Sequence, residues 1–376
     1  MIVVEDLNGN TMMNIDTPYY EDHERVSNSS IGWFLKGGPS YFYKMLKGEI
    51  EGDKGPQLER GTMIHSFILT PEEFQKDYVV WNKSRPFSVQ QEKFCQALAS
   101  SLEIEPNRAI LDAYKQAYST AGKSEDKMLS EGLKIASTLK DYIDFLKSDD
   151  KRLMITPSEA KMLERVKQNI EHHKIANTIV YPSDYFKTFD TNISPKFENK
   201  NLVIVDAISA HFHEFHINWE YPVIYDIDVG QHETEHGTYT IKCKSLLDGL
   251  TLDFKNKKAT IYDLKTTAKL WHFEESIEMY DYLRQLCYYK MAVMWYLKNE
   301  CGEENPGQWV INFYIIGIDT TGSCEIRVFN INRLAVEKRR EVINTTLFNI
   351  AWHQMNNKWE HSREYYEGDG SESLNL

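Results

Sequence analysis

The sequence predicts an α/β protein with a central mixed sheet of about five strands flanked by helices, and three observations carry that expectation. Residues 88–178 are polar and lysine-rich, with apolar residues at spacings of three and four. From about Leu202 the pattern changes to β-branched and aromatic runs with alternation, as in Glu214-Phe215-His216-Ile217-Asn218-Trp219. Helical spacing returns after Phe273, gives way to two more β-type runs, and closes the chain, an interleaving that builds a sheet covered by helices.

The elements follow in order. Ser27, Asn28, Ser29 and Ser30 can cap a helix that Gly37, Gly38 and Pro39 break, with a second short helix behind it. Leu58, Met63, Ile64, Phe67 and Ile68 then form a helical stripe with His65 inside it, and Thr70-Pro71-Glu72-Glu73 starts another helix. Within 88–178, Leu129, Leu133, Ala136, Tyr142 and Leu146 illustrate the helical period, and Thr156-Pro157-Ser158-Glu159 repeats the capping signature. Strands are predicted in GTYTIKCKSLLDGLTLDF and KKATIYDLKT, joined through the polar turn Lys255 to Lys258. A helix from Phe273 to Leu297, strands in WVINFYIIGID and CEIRVFNI, and a helix from Arg333 to Trp359 complete the pattern. The expected division is 1–87 as an N-terminal helical part, 88–178 as a helical insertion, 179–361 as the core, and 362–376 as a mobile tail.

Composition narrows the function classes. No apolar run approaches the roughly 18 residues of a bilayer span, and MIVVEDLNGN lacks a basic segment ahead of a long apolar core, so a soluble cytoplasmic protein is expected, with no membrane partner. The five cysteines are odd in number and widely spaced with no C-x-x-C pair, which argues against a disulfide framework and against zinc or iron–sulfur sites. The net charge of −13 excludes a protein that coats nucleic acid by overall attraction. A local basic groove stays compatible, because salt confines such fields to about 10 Å.

The residues best placed for chemistry lie between Leu246 and Tyr289. Asp248 ends one β-type run and Asp263-Leu264-Lys265 ends the next, so Asp263 and Lys265 share a strand face while Leu264 takes the other. Gln285 and Tyr289 follow one helical turn apart, on one face. An acidic residue two before a lysine recurs at Glu125/Lys127, Asp149/Lys151, Glu159/Lys161, Glu198/Lys200 and Asp253/Lys255, so the triplet alone says little. Only Asp263-Leu264-Lys265 ends a strand, has an aspartate about 15 residues earlier in a second strand, and precedes a long helix. Two carboxylates on neighbouring strands can hold Mg²⁺, which needs hard oxygen ligands, and a lysine beside them can orient water and stabilise developing negative charge.

Asp248…Asp263-x-Lys265 resembles the PD-(D/E)xK nuclease superfamily, and DLKTT followed by Gln285-x-x-x-Tyr289 is similar to its RecB-like and RecE-type (exonuclease VIII-like) branch, which includes phage and mobile-element proteins. SNSSI…LERGTMIHSFILTPEEFQKDYVV is similar to the N-terminal part of RecE-type domains. The resemblance spans 27–80 and 214–297, and it implies a restriction-endonuclease-like core with an N-terminal helical region and a large helical insertion. Leu247 stands where the motif has proline, a variable position.

By that resemblance Asp248 and Asp263 are metal ligands and Lys265 is the catalytic lysine. His65 helps to bind a second metal ion, Glu214 is the upstream acidic ligand, and Gln285 and Tyr289 support DNA binding and the geometry of the site. The implied activity is Mg²⁺-dependent exonucleolytic hydrolysis of linear double-stranded DNA for recombination or repair, with Mn²⁺ able to substitute. The implied partners are double-stranded DNA ends, a single-strand annealing protein and further copies of the chain in a ring-like homo-oligomer, in a bacterial or phage-infected cytoplasm.

Other readings stay open from the residues themselves. His65 lies among apolar residues, where a hydrogen-bonded core histidine is the commoner role, and Glu214 has rivals in Glu220, Glu233 and Glu235. His211, His213 and His216 suggest zinc, but at strand spacing His211 and His213 face away from His216. Arg284, Lys242 and Lys244 could meet phosphates. The alternatives in function are an endonuclease or single-strand exonuclease on the same scaffold, or a non-catalytic DNA-binding protein.

Overall fold

The computed structural model describes residues 22–52, 55–103, 105–148, 150–180 and 239–372, together with strands at Ile2–Glu5, Thr11–Ile15, Lys196–Asn199, Leu202–Ile204 and His216–Val229. For 2–5, 11–15, 196–199, 202–204 and 216–222, and for 178, 229 and 239, the description is of the backbone. The chain divides into two compact units, Met1–Thr70 with Arg165–Leu376, and Pro71–Glu164.

In the larger unit Ser27 and Ser30 cap each other reciprocally, with the Ser27 amide donating to Ser30 Oγ at 2.6 Å, and start helix α1, Asn28–Leu46. Gly38 takes φ +71° ahead of Pro39 and divides α1 in two, as glycine tolerates that backbone and proline cannot donate to the preceding turn. Helix α2, Pro56–Leu69, opens on proline and buries Met63, Ile64, Ile68 and Leu69. Leu58, assigned to that stripe from the sequence, lies in the first turn and is 59% exposed.

The central sheet has the order β5-β4-β3-β2-β1, from β1 (His216–Val229), β2 (Tyr239–Asp253), β3 (Lys258–Thr267), β4 (Val310–Asp319) and β5 (Ile326–Ile331). All neighbours are antiparallel except β3 and β4, which are parallel. A parallel pair needs a crossover, and helices α3 (Phe273–Met279) and α4 (Tyr282–Asn299) supply it. The sequence suggests one helix here; Asp281, at φ +47° and ψ +52°, breaks it in two. Aspartate visits the left-handed region more readily than most residues, and Arg339 Nε holds its Oδ1 at 2.7 Å.

Leu286, Val293 and Leu297 of α4 and Ile343, Leu347 and Ile350 of α5 (Arg340–Asn356) are buried in one core with Ile261, Phe313 and Ile315 of the sheet. Each such side chain contributes roughly 1.5–3 kcal/mol. The final helix of the sequence reading is also two, Arg333–Glu337 and α5. Past Ser362 the chain forms a short helix, Arg363–Glu367, whose Tyr366 stacks on Trp352 and whose Arg363 lies 4.7 Å from the Phe348 ring centroid.

In the smaller unit, helices Val89–Ala99, Pro106–Ala117, Glu125–Thr138 and Lys140–Lys147 bury Phe94, Ile110, Tyr114, Met128 and Ile143, and Tyr78–Val80 pairs in parallel with Leu153–Ile155. The helical period holds, but its buried stripe runs through Met128 and Ile143, and Leu133 is 44% exposed. At Pro157–His172 the capping box forms, the Thr156 amide donating to Glu159 Oε2 at 2.7 Å and the Glu159 amide to Thr156 Oγ1 at 3.2 Å. Among the described residues no helix is long and apolar enough to cross a membrane.

Candidate active site

The site begins where the hairpin of β2 and β3 comes apart. Its ladder runs from Asp253↔Lys258 to Gly249↔Tyr262, a register whose next step sets Asp248 level with Asp263. There the Leu264 amide donates to Asp248 Oδ2 at 2.8 Å, a carboxylate in the place of a strand carbonyl. Beyond this point β3 stays on β4 as far as Thr267↔Asp319, while β2 stays on β1 and takes up residue 26 as a bridge. The Val26 amide donates to Lys242 O at 2.9 Å and the Lys244 amide to Val26 O at 2.8 Å. The two aspartates stand in the crotch of this fork.

Asp263 and Lys265 share one side of β3, as the strand period requires. Lys265 Nζ donates to Asp263 Oδ1 at 2.8 Å and stands in ionic contact with Oδ2 at 2.7 Å, and among the described residues the buried Oδ2 has no other polar partner. Burial first, and Asp248 after it, push the Asp263 carboxyl up to about 6 against the opposing effect of Lys265. Burial raises Asp248 too, opposed by Lys265 and the Leu264 amide. Burial by itself would lower Lys265, but Asp263 and Asp248 outweigh it and hold the ammonium above its ordinary value. Two carboxyls that burial makes resist ionisation and one lysine that they keep protonated mark a buried, coupled charge cluster, where a further cation would favour the ionised acids.

Helix α2 brings His65 to the same place, its Nδ1 3.8 Å from Asp248 Oδ2 and its side chain 26% exposed. Burial, and then Lys265, lower the imidazole to about 4, so at neutral pH it offers a lone pair in place of a charge. The close approach of α2 to β3 depends on Gly61, where a Cβ would stand 3.0 Å from Thr266 Oγ1. From α4, Gln285 Nε2 donates to the Tyr289 hydroxyl at 2.7 Å, the pairing that their spacing anticipates.

The structure therefore brings His65, Asp248, Asp263 and Lys265 together, with Gln285 and Tyr289 bonded to each other on α4. Glu214, Glu233 and Glu235 lie outside the described residues. The backbone of Glu220 falls between Trp219↔Gly249 and Tyr221↔Leu247, level with Asp248. Among the described residues no group of three or more His, Cys, Asp and Glu side chains is arranged to hold a metal ion.

Other candidates have structural partners. Arg284 Nε donates to Asn28 Oδ1 at 3.1 Å, Lys244 Nζ to Asp22 O at 2.5 Å, and Lys242 Nζ to Glu24 Oε2 at 3.5 Å. Asp253, of the rival triplet, accepts from the Asn256 amide at 3.0 Å and serves the β2–β3 turn. From the sequence Tyr282 is only one of the residues on the packed face of the 273–297 helix, with no site role, yet its ring centroid lies 5.1 Å from Lys265 Nζ. Its position three residues before Gln285, on the same helix face, is the signal that could have found it.

No protein-family model matches the chain, and no curated protein matches it. A crystal structure named "Putative exonuclease" from Eubacterium rectale is similar at a TM-score of 0.41 and 13% identity, over 96% of each chain. A likeness of that size does not establish a shared fold.

Proposed function

We propose that the protein is a divalent-metal-dependent deoxyribonuclease with the PD-(D/E)xK arrangement, and that it degrades linear double-stranded DNA from its ends. One observation carries this reading: Asp248 and Asp263 at one level of a hairpin that opens between them, with Lys265 on Asp263 and His65 beside Asp248. The fit to a hard divalent ion rests on the donors present, two buried carboxylates that burial makes resist ionisation, and an Asp263 oxygen that among the described residues meets only the Lys265 ammonium. Asp248 and Asp263 would hold the ion, His65 would assist, and Glu214 would complete the set as upstream acid, with Glu220 its rival by register. Such an ion, Mg²⁺ or Mn²⁺, supplies Lewis-acid activation of a water and of the scissile phosphate.

The chain's own residues do the remainder. Lys265, kept protonated by the aspartates, stabilises negative charge as it develops on the phosphate. Asp263 fixes the lysine in place through two close contacts, and the neutral His65 adds no charge that would repel a cation. Gln285, half-buried and fixed by its bond to the hydroxyl of the buried Tyr289, is the polar group of the pair that would reach the DNA. A ring of several copies and a single-strand annealing partner belong to the same reading, as does a role in recombination.

The test is incubation with end-labelled linear duplex and closed circular DNA, with and without Mg²⁺ or Mn²⁺. Shortening of the linear duplex alone, only with metal, is the expected result. Cutting of the circle would make it an endonuclease on the same residues. Binding with no cleavage under any metal would overturn the catalytic reading.

A further inference from the structure

We infer that Tyr280, stacked on Tyr282 beside Lys265, is a platform for an unpaired nucleobase next to the phosphate that Lys265 addresses. The inference rests on the nuclease reading above and deepens it, because it adds a contact to the base where the site so far contacts only phosphate.

Tyr280 is 58% exposed, and its ring lies 5.7 Å from that of Tyr282 at an interplanar angle of 23°. Tyr282 in turn reaches Lys265 Nζ. On its inner side Tyr282 meets Phe273, which is fully buried, at 6.0 Å. The stack is therefore rooted in the core at one end and open at the other. Surface tyrosines are common and most need no explanation. This one differs because it continues an aromatic row whose middle ring, Tyr282, meets the candidate catalytic cation.

The turn that presents it is held. Asp281 sits at φ +47°, a strained backbone for a residue with a side chain, and Arg339 fixes it by donating to the Asp281 carboxylate at 2.7 Å. With Asp281 helical, α3 and α4 would run on as one helix. Strained backbone of this kind beside a site points to positioning.

The occupant follows from the chemistry. An exposed aromatic face one stacked ring away from a cation suits a nucleobase attached to a phosphate, and such stacking tolerates any sequence because every base has a π-face. Behind the buried Phe273 lies a separate exposed pairing: Phe273 stacks on Phe329 at 5.0 Å, and Arg327 lies over both Phe329 and the exposed Trp271. Aromatic rings alternating with cations form the pattern of single-strand binding surfaces.

The test uses the full chain in EDTA, so that binding is read without cleavage. Fluorescence anisotropy compares a labelled short oligothymidylate with an abasic oligomer of the same length. Tyr280→Ala should weaken the oligothymidylate by about five-fold or more and leave the abasic strand unchanged, and Tyr280→Phe should restore binding. Equal loss on both strands, no loss on either, or a phenylalanine variant no better than alanine would overturn the platform. So would a wild-type protein that binds both strands equally well or binds neither. The nuclease reading stands or falls separately, on cleavage with Mg²⁺.

Discussion

Lys265→Met keeps most of the side-chain stem and removes its charge, and the structure gives the size of the response. Asp263 is fully buried and its carboxylate lies 2.7 Å from the lysine. Removing one partner of such a pair costs roughly 3–5 kcal/mol, because the other charge is left uncompensated. Asp263 can escape by taking up a proton, which sets a ceiling. The wild-type fold already holds that carboxyl up to about 6, so protonating it fully at pH 7 costs only about 1.4 kcal/mol more, at ~1.4 kcal/mol per unit. The expected loss is therefore ~1–2 kcal/mol, a fall of about 2–5 °C in the melting midpoint for a unit of this size. Adding Asp263→Asn removes the second charge, and the double variant should recover most of that loss. Activity should not follow stability. Lys265→Met, Asp263→Asn and the double variant should each lose about a thousand-fold or more in Mg²⁺-dependent cleavage of end-labelled linear duplex, ~4 kcal/mol of transition-state stabilisation. Thermal denaturation by circular dichroism in EDTA and single-turnover cleavage measure the two halves. A Lys265→Met protein that cleaves at the wild-type rate would refute the catalytic assignment. A double variant as unstable as the single would refute the electrostatic account of the pair.

Three further outcomes follow from individual contacts. Tyr289→Phe removes the acceptor of the 2.7 Å bond from Gln285; stability should fall by about 1 kcal/mol and kcat by between about ten- and a hundred-fold, read from melting curves and cleavage rates together. Gly61→Ala should press α2 away from β3, since the new methyl meets Thr266 Oγ1 at 3.0 Å; cleavage should drop because His65 moves off Asp248, and Thr266→Ala in the same chain should restore it. His353 is fully buried with Nδ1 donating to Lys358 O and Nε2 without a hydrogen-bond partner among the described residues, and burial lowers its pKa. Its contribution is full above the unfolded pKa of about 6.5 and is lost as pH falls through the lower folded value, so the melting point should decline below that pH and His353→Leu should flatten the decline.

Much of this fold is legible because its signals are local. The Ser27 cap, the Thr156–Glu159 box and the break at Gly38-Pro39 involve residues within three or four of each other. The shared face of Asp263 and Lys265 follows from the strand period, and the Gln285–Tyr289 bond from the helix turn. What the sequence hides is set by distant partners. The break at Asp281 is held by Arg339, 58 positions away along the chain. The exposure of Leu58 and Leu133 depends on which side of a helix finds a neighbour, a choice that spacing by three and four leaves open. Tyr282 reaches Lys265 only because the crossover lays α4 beside β3.

The fork itself explains why these residues cohere. Like charges directly opposite each other destabilise an antiparallel pair, so a ladder continued through Asp248 and Asp263 would oppose its own closure. Parting the strands leaves the Leu264 amide without a strand carbonyl, and a buried amide must find an acceptor; Asp248 provides it. That bond uses one carboxylate oxygen and draws Asp248 toward β3, which keeps the two acids near each other at the point where the backbone has separated. Lys265 offsets part of the charge, yet both acids remain harder to ionise than usual. The arrangement is electrostatically unfinished by itself, and a further cation is the group that would complete it. For a merely structural ion pair, replacing Asp248 by asparagine would relieve the repulsion and cost little else. For the site proposed here Asp248→Asn should stabilise the fold or leave it unchanged in EDTA, abolish cleavage, and remove the stabilisation that Mg²⁺ or Mn²⁺ gives the wild-type protein in a melting experiment. A variant that cleaves, or one that metal stabilises as it does the wild type, would show that the fork has only a structural purpose.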